Sequence, residues 1–292
     1  MMPSTSPIKV GLLGRGITAS ASPAIHETEA GCLGLTLTYE LFDFDVLGLA
    51  DDALADMVSQ LIGRGFSGVN ITHPFKQAVI PLLDAVDPTA ASLGAVNCVT
   101  FHEGRTSGSN TDWIGFQFML DVALPQEKRE IVAQIGSGGA GSATAFALLH
   151  SGTRELRIHD TSSVRIEALS NRLQSAFPDA RLIACATPAA AIDGACGVVQ
   201  STPVGMARHP GMPFDPALLT ADQWLADVIY FPRETELLKA ARRRGLATAD
   251  GAPMVVGQAA EAFLRFTGVE PDRDRMLTAL NAGHGQDQRG AV

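Results

Sequence analysis

The chain has 292 residues, of which 46% are hydrophobic, so it can bury sizeable cores, and its length favours two domains over one. A formal net charge of −9 without a block of like charges excludes nucleic acid as a partner, because phosphate binding needs a clustered basic surface. Cys32, Cys98, Cys185 and Cys196 are too widely spaced for a disulfide framework or a zinc site, and no apolar stretch approaches the roughly 20 residues that span a bilayer.

The opening segment Met1–Pro7 lacks the apolar core of an export signal, so the expectation is a soluble, cytoplasmic protein with buried, reduced thiols and no membrane partner. Lys9–Gly14 reads as a short buried strand, and a helix begins near Ser22-Pro23, where serine can cap and proline suits the first turn. Leu35–Phe42 reads as a second strand, and Asp51–Arg64 as a helix with acids at its start. Gly68–Thr72 is a strand ending at His73-Pro74, and a helix is expected from Phe75 to Ala85. Lys76 then stands in the first turn of a helix at the carboxyl end of a strand, the edge where ligands bind in open α/β sheets. Ala95–His102 and Thr106–Asn110 form a hairpin that delivers Asp112 to the start of another helix.

From Ile131 the pattern becomes regular βα alternation. Strands are expected over 131–135, 155–159, 181–185 and 197–201, with helices over 140–151 and 164–176. Trp224–Ile229, a helix Glu234–Arg244 and a strand Leu246–Ala249 follow, then a helical region from Met254 to Phe266. Arg242-Arg243-Arg244 sits where it complements a helix dipole. The polar, glycine-rich tail Gly283–Val292 is expected to be disordered. The fold class is α/β in two lobes: an N-terminal substrate domain, residues 1–112, completed by C-terminal helices within 254–282, and a Rossmann-type, doubly wound parallel-sheet domain over 113–253. The active site is expected in the cleft of such a molecule.

The loop Gly136-Ser137-Gly138-Gly139-Ala140-Gly141 directly follows a strand and opens a helix. Asp160 ends the next strand roughly 20 residues later, the arrangement of a dinucleotide fold. Gly136, Gly138, Gly139, Ala140 and Gly141 would bring backbone N–H groups to a pyrophosphate. Asp160 can accept hydrogen bonds from the ribose hydroxyls of NAD and would repel the added phosphate of NADP, so NAD is preferred. Arg165 is open to three readings: turned inward to a 2′-phosphate, covering an adenine, or in solvent.

Hydride transfer between a secondary alcohol and a ketone also moves a proton at oxygen, and a lysine with a neighbouring carboxylate can shuttle it without a metal. Read alone, Lys76 is a solvated helix lysine and Asp112 a helix cap; Ser20 and Ser22 are cap residues, His73 a turn residue, Met254 and Phe263 core, and Trp113 and Trp224 packing groups. The other histidines have no metal-ligand spacing.

Taken in order, Ser20-Ala21-Ser22-Pro23, Asn70-Ile71-Thr72-His73-Pro74-Phe75-Lys76, Gly94-Ala95-Val96-Asn97, Asn110-Thr111-Asp112 and Gln258-Ala259-Ala260-Glu261-Ala262-Phe263 resemble the motifs of the shikimate dehydrogenase family. The resemblance covers nearly the whole chain and implies reversible oxidation of the C3 hydroxyl of shikimate or quinate with a nicotinamide cofactor and no metal. Carried over, Lys76 is the proton shuttle and Asp112 its hydrogen-bonded partner. Ser20 and Ser22 hold the substrate carboxylate, Thr72, Asn97 and Gln258 bind carboxylate or ring hydroxyls, and Tyr230 lies near the carboxylate. Ser201-Thr202-Pro203-Val204-Gly205-Met206 resembles the segment beside the nicotinamide ribose; Thr202 and Pro203, with Val228 and Gly251, complete the implied cofactor contacts.

Members using NADP often carry Asn-Arg-Thr after the second nucleotide-domain strand, whereas this chain has His159-Asp160-Thr161. That departure resembles the NAD-using quinate/shikimate branch and implies a catabolic role. The expected partner is a small carboxylate, on a monomer or homodimer. Three rivals stand beside this reading: a family member serving another ring such as amino-shikimate, a non-catalytic NAD-sensing protein, and a folate-linked dehydrogenase, the last disfavoured by Ser20–Pro23 and Gln258.

Overall fold

A computed structural model describes residues 7–287. The chain divides into two compact units; one ends at Thr111 and resumes at Gln258, and the other is Asp112–Gly257.

The first unit opens with β1 (Ile8–Gly14), α1 (Ser22–Cys32), β2 (Leu37–Asp43), α2 (Leu54–Gly63) and β3 (Gly68–Ile71). It continues with α3 (Phe75–Ala78), β4 (Ala85–Val86), α4 (Pro88–Leu93), β5 (Cys98–His102) and β6 (Arg105–Ser109). Its sheet runs β2-β1-β3-β5-β6-β4, parallel where β1 meets β2 and β3, and antiparallel through β3, β5 and β6. Leu13, Phe44, Leu61, Val69, Phe75 and Val99 form its core. The helix expected over 75–85 is only one turn long, because Pro81 lacks the N–H that would continue it and the chain tightens to a 3₁₀ turn over Ile80–Leu82. Ser22 is the first helical residue of α1 rather than its cap; Ala21 holds the cap position, with no side-chain cap bond.

The second unit contains α5 (Asp112–Ala123), β7 (Ile131–Ile135), α6 (Gly139–His150), β8 (Glu155–His159), α7 (Ser163–Ala176) and β9 (Arg181–Ala184). α8 (Pro188–Ile192), β10 (Gly197–Gln200), β11 (Trp224–Asp227), α9 (Glu236–Arg243) and β12 (Ala247–Ala249) complete its sheet layer. The strand order β12-β11-β10-β7-β8-β9, parallel throughout, is that of a doubly wound dinucleotide fold, with its switch point between β7 and β10. Ala133, Ile135, Val198, Leu225, Leu237 and Leu238 lie in its core. Trp224 is buried with its indole N–H donating to the Lys128 carbonyl at 2.8 Å. Arg242 and Arg244, at the end of α9, bond Thr248 and the Leu219 carbonyl respectively.

α10 (Ala252–Thr267) contains the second crossing between the units, so no linker marks it. α11 (Arg273–Asp287) reaches into the tail expected to be disordered from Gly283; the rest of that tail and Met1–Ser6 lie outside the described residues. Packing overrides the weak helix propensity of the glycines there. Met276 and Leu280 are buried, and Arg275 bonds the fully buried Glu29 of α1 at 2.7 and 3.0 Å. Of the cysteines only Cys98 is fully buried, where burial pushes its thiol up to about 12; Cys32, in the last turn of α1, faces outward. Among the described residues no helix is long and apolar enough to cross a membrane.

Candidate active site

In the first unit, polar side chains gather at the carboxyl ends of β1 and β3. Ser20 and Ser22 are joined Oγ to Oγ at 3.1 Å, and the Ser22 N–H donates to the Ser20 hydroxyl at 3.3 Å. Ser22 is also hydrogen-bonded to Tyr39, whose phenol is raised far above its usual range by burial, an effect the Ser22 bond only partly offsets. The Tyr39 hydroxyl donates to Asn70 Oδ1 at 2.9 Å, and Asn70 Nδ2 donates to the Asn97 carbonyl at 3.2 Å. Asn97 Nδ2 donates to Thr111 Oγ1 at 3.1 Å, while its Oδ1 accepts the Thr111 N–H at 2.6 Å. One network therefore runs from Ser20 to Thr111.

Thr72 is fixed beside it by its N–H, which donates to the Leu13 carbonyl at 2.9 Å. Lys76 is half-buried in the single turn of α3, its carbonyl accepting the Val96 N–H at 2.8 Å, and Gln258 is half-buried on α10. Such a set of hydroxyls, amides and an ammonium suits a small polyhydroxylated carboxylate.

In the second unit, Asp112 is buried as the first residue of α5, and Tyr230, in the loop after β11, is half-buried with its phenol pushed up by burial. Gly251 donates its N–H to the Ile229 carbonyl at 3.0 Å and packs against the Val228 carbonyl so closely that a Cβ would fall 2.2 Å from that oxygen. Met254 and Phe263 are core residues, and Trp113 packs edge-on against Phe146 and His150.

A cavity of about 400 Å³ lies at the carboxyl ends of β7, β8 and β10. Gly136, Gly138, Asp160, Arg165, Thr202 and Pro203 are among its walls. Gly136 has φ 106°, and a Cβ there would meet Ser201 and Thr202; a Cβ on Gly141 would fall 2.6 Å from the Gly136 carbonyl. Gly138 and Gly139, by contrast, face open space, and no side chain caps α6, which leaves its N–H groups and positive end to a ligand. These features fit a dinucleotide pyrophosphate.

Asp160 is held from both sides. Its Oδ2 accepts from the N–H and hydroxyl of Ser137 at 2.8 and 2.9 Å, and its Oδ1 from the Ser162 N–H at 2.8 Å and from Arg165 at 2.6 and 3.2 Å. Burial raises its pKa, but the Arg165, Ser162 and Ser137 bonds outweigh that and hold the carboxyl well below its usual range. The Arg165 guanidinium pairs with Asp160 Oδ1 at 2.6 Å while its side chain stays 55% exposed, a pairing that none of the three readings included.

The sequence offered no role for two buried glutamines that brace these loops. Gln134 of β7 donates to the Gly136 and Gly141 carbonyls, both at 2.8 Å, and Gln200 of β10 donates to the Thr202 and Val204 carbonyls at 2.9 and 2.8 Å. An amide in an otherwise apolar buried strand was the available signal. Tyr39 and Asn70 also went without a role, although Tyr39 sits at an inward position of a strand where a hydroxyl needs a partner. Among the described residues no group of His, Cys, Asp and Glu side chains is disposed to hold a metal ion.

Residues 12–99 match the family model for the shikimate dehydrogenase substrate binding domain, and residues 251–280 that for the shikimate 5'-dehydrogenase C-terminal domain. The chain is 47% identical over 273 residues to a shikimate dehydrogenase (NADP(+)) of Streptomyces avermitilis, covering 93% of this chain and 94% of that protein. It is 43% identical over 277 residues to a quinate/shikimate dehydrogenase (NAD(+)) of Corynebacterium efficiens, covering 92% and 96%. Among solved structures, quinate dehydrogenase from Corynebacterium glutamicum in complex with NAD superposes with a TM-score of 0.90 at 42% identity, covering 94% of this chain and 99% of that one. With relatives this similar along nearly all of its length, the chain belongs to the shikimate dehydrogenase family of oxidoreductases.

Proposed function

We propose that this protein reversibly oxidises the C3 hydroxyl of shikimate or quinate, with NAD preferred over NADP. The relatives' names divide over both the ring and the cofactor, so the chain's own residues must decide. The observation that carries the cofactor preference is Asp160, a strongly acidic carboxylate on the wall of the glycine-loop cavity. Its Oδ1 is an acceptor for ribose hydroxyls and opposes a second anion there.

When bound, the nicotinamide exchanges a hydride with the substrate carbon. Lys76 gives or takes the proton at the C3 oxygen, and Asp112 orients it and favours its charged form. Ser20, Ser22 and Tyr230 receive the substrate carboxylate, while Thr72, Asn97 and Gln258 read the carboxylate and ring hydroxyls. A ring lacking a hydroxyl would leave those groups unpaired, which is the basis of selectivity. Gly136, Gly138, Gly139, Ala140 and Gly141 cradle the pyrophosphate, with Thr202, Pro203, Val228 and Gly251 toward the nicotinamide end.

The test is a four-way comparison of initial rates with shikimate and quinate, each with NAD and NADP. NAD-linked oxidation of either ring is the expected result. Silence in all four with NAD binding intact would overturn it in favour of another ring or a sensing protein.

A further inference from the structure

Asp160 accounts for cofactor preference only if its carboxylate stays where it is. An aspartate on a loop has several staggered side-chain positions, and one that could turn away would relieve the repulsion of a 2′-phosphate. Here the turn is opposed from behind. Ser137, buried in the glycine loop, gives both its N–H and its hydroxyl to Oδ2 at 2.8 and 2.9 Å, while the Ser162 N–H and Arg165 occupy Oδ1. A carboxylate offers about four acceptor sites, so this one is saturated. The bonds differ in setting. Arg165 has an exposed side chain, 55% accessible, with room to give way to a ribose, whereas Ser137 is buried and its N–H is fixed by the backbone.

We infer that Ser137 is a cofactor-specificity residue: its hydroxyl pins Asp160 to the glycine loop, presents Oδ1 to a ribose diol, and bars the rotation that would admit a 2′-phosphate. The inference rests on the proposed NAD reading of this cavity. Ser137 acts through Asp160, so it is a positioning residue. Without the hydroxyl, only two backbone N–H groups hold the carboxylate besides the exposed Arg165, Ser137 on Oδ2 and Ser162 on Oδ1, and it turns away from a 2′-phosphate more readily.

The experiment measures equilibrium Kd values for NAD and NADP by titration calorimetry, without substrate, on the full chain and on Ser137→Ala, Ser137→Cys and Asp160→Ala. Cysteine keeps the volume of the site but loses the strong donor, so it decides the matter should alanine fail to fold. Loss of one hydrogen bond to a charged acceptor corresponds to about tenfold in an equilibrium constant. The ratio Kd(NADP)/Kd(NAD) should accordingly fall about fivefold to tenfold in both Ser137 variants, and further in Asp160→Ala. If Asp160→Ala lowers the ratio while both Ser137 variants keep it, the clasp is wrong and the NAD reading stands. If Asp160→Ala also keeps it, both fall.

Discussion

The hydroxyl of Tyr39 donates to the side-chain oxygen of Asn70 at 2.9 Å, and the same hydroxyl is bonded to Ser22. A buried tyrosine on β2 thereby ties the serine proposed to hold the substrate carboxylate to an asparagine on β3. Tyr39→Phe keeps the ring and removes the link, leaving Asn70 and Ser22 each short of a partner. The expected outcome is a KM for the ring carboxylate raised about tenfold with cofactor Kd unchanged, and a stability loss of about 1 kcal/mol. Steady-state kinetics with both substrates varied would show this, and an unchanged KM would remove Tyr39 from the support of the site.

Lys76 stands in a single helical turn whose backbone is held by the Val96 N–H, so truncating its side chain leaves the turn's own bonds in place. Lys76→Ala should therefore lower kcat by about 10²-fold to 10⁴-fold, the usual worth of a general acid/base, while NAD still binds. Single-turnover rates and an NAD titration on the same preparation separate the two effects. Turnover within about threefold of the parent would take Lys76 out of the mechanism.

His26 makes a different prediction, about stability. It is fully buried on α1 against the rings of Tyr39, Phe263 and Phe266, with Nδ1 lacking a hydrogen-bond partner, and burial lowers its pKa from 6.5 to about 3. The unfolded chain then binds a proton below pH 6.5 that the folded chain refuses. Stability is full above the unfolded pKa and is lost as pH falls toward the folded one, by about 2 kcal/mol at pH 5. Urea unfolding at pH 7.5 and pH 5 should show His26→Phe losing about 2 kcal/mol less than the parent between the two. Equal losses would mean that His26 is protonated in the folded chain.

The nucleotide-binding half was legible because parallel strands buried on both faces leave apolar runs separated by helical periodicity, and β7, β8, α7 and β10 fell within a residue or two of their expected spans. The first half was harder. The proline that opens a helix after His73 drew the expected span through Pro81 to Ala85; in the second unit, α8, a five-residue helix from Pro188 to Ile192, is too short to carry a period. At the site, Asp160 was visible as a residue type at a strand end, but its partners were not. That Ser137 reaches it from the preceding loop, and that Arg165 pairs with it, depends on side-chain geometry that no spacing rule encodes. The same holds for Asn70, whose motif was plain but whose bond to Tyr39 joins residues far apart in sequence.

Asp227 closes the loop that carries Tyr230. Its Oδ2 accepts from the Thr235 hydroxyl at 2.8 Å and its Oδ1 from the Ile229 N–H at 3.1 Å, so both ends of the loop are fastened to one buried carboxyl. Burial raises its pKa from 3.8 to about 6; the Thr235 and Ile229 bonds only partly counter this, and Asp250 adds to it. The sign is opposite to that of His26. The folded chain keeps a proton that the unfolded chain has released, so the contribution of Asp227 is full below pH 3.8 and is lost as pH rises through about 6. Asp227→Asn keeps an acceptor for one end of the loop and cannot ionise. It should be less stable than the parent by about 1 kcal/mol at pH 4, where one bond is lost, and equal or more stable at pH 8, where the parent holds a buried charge. Chemical unfolding of the two proteins across that range decides it: a difference that does not change with pH would mean that Asp227 ionises as readily folded as unfolded, and that the fastening of the Tyr230 loop is indifferent to its charge.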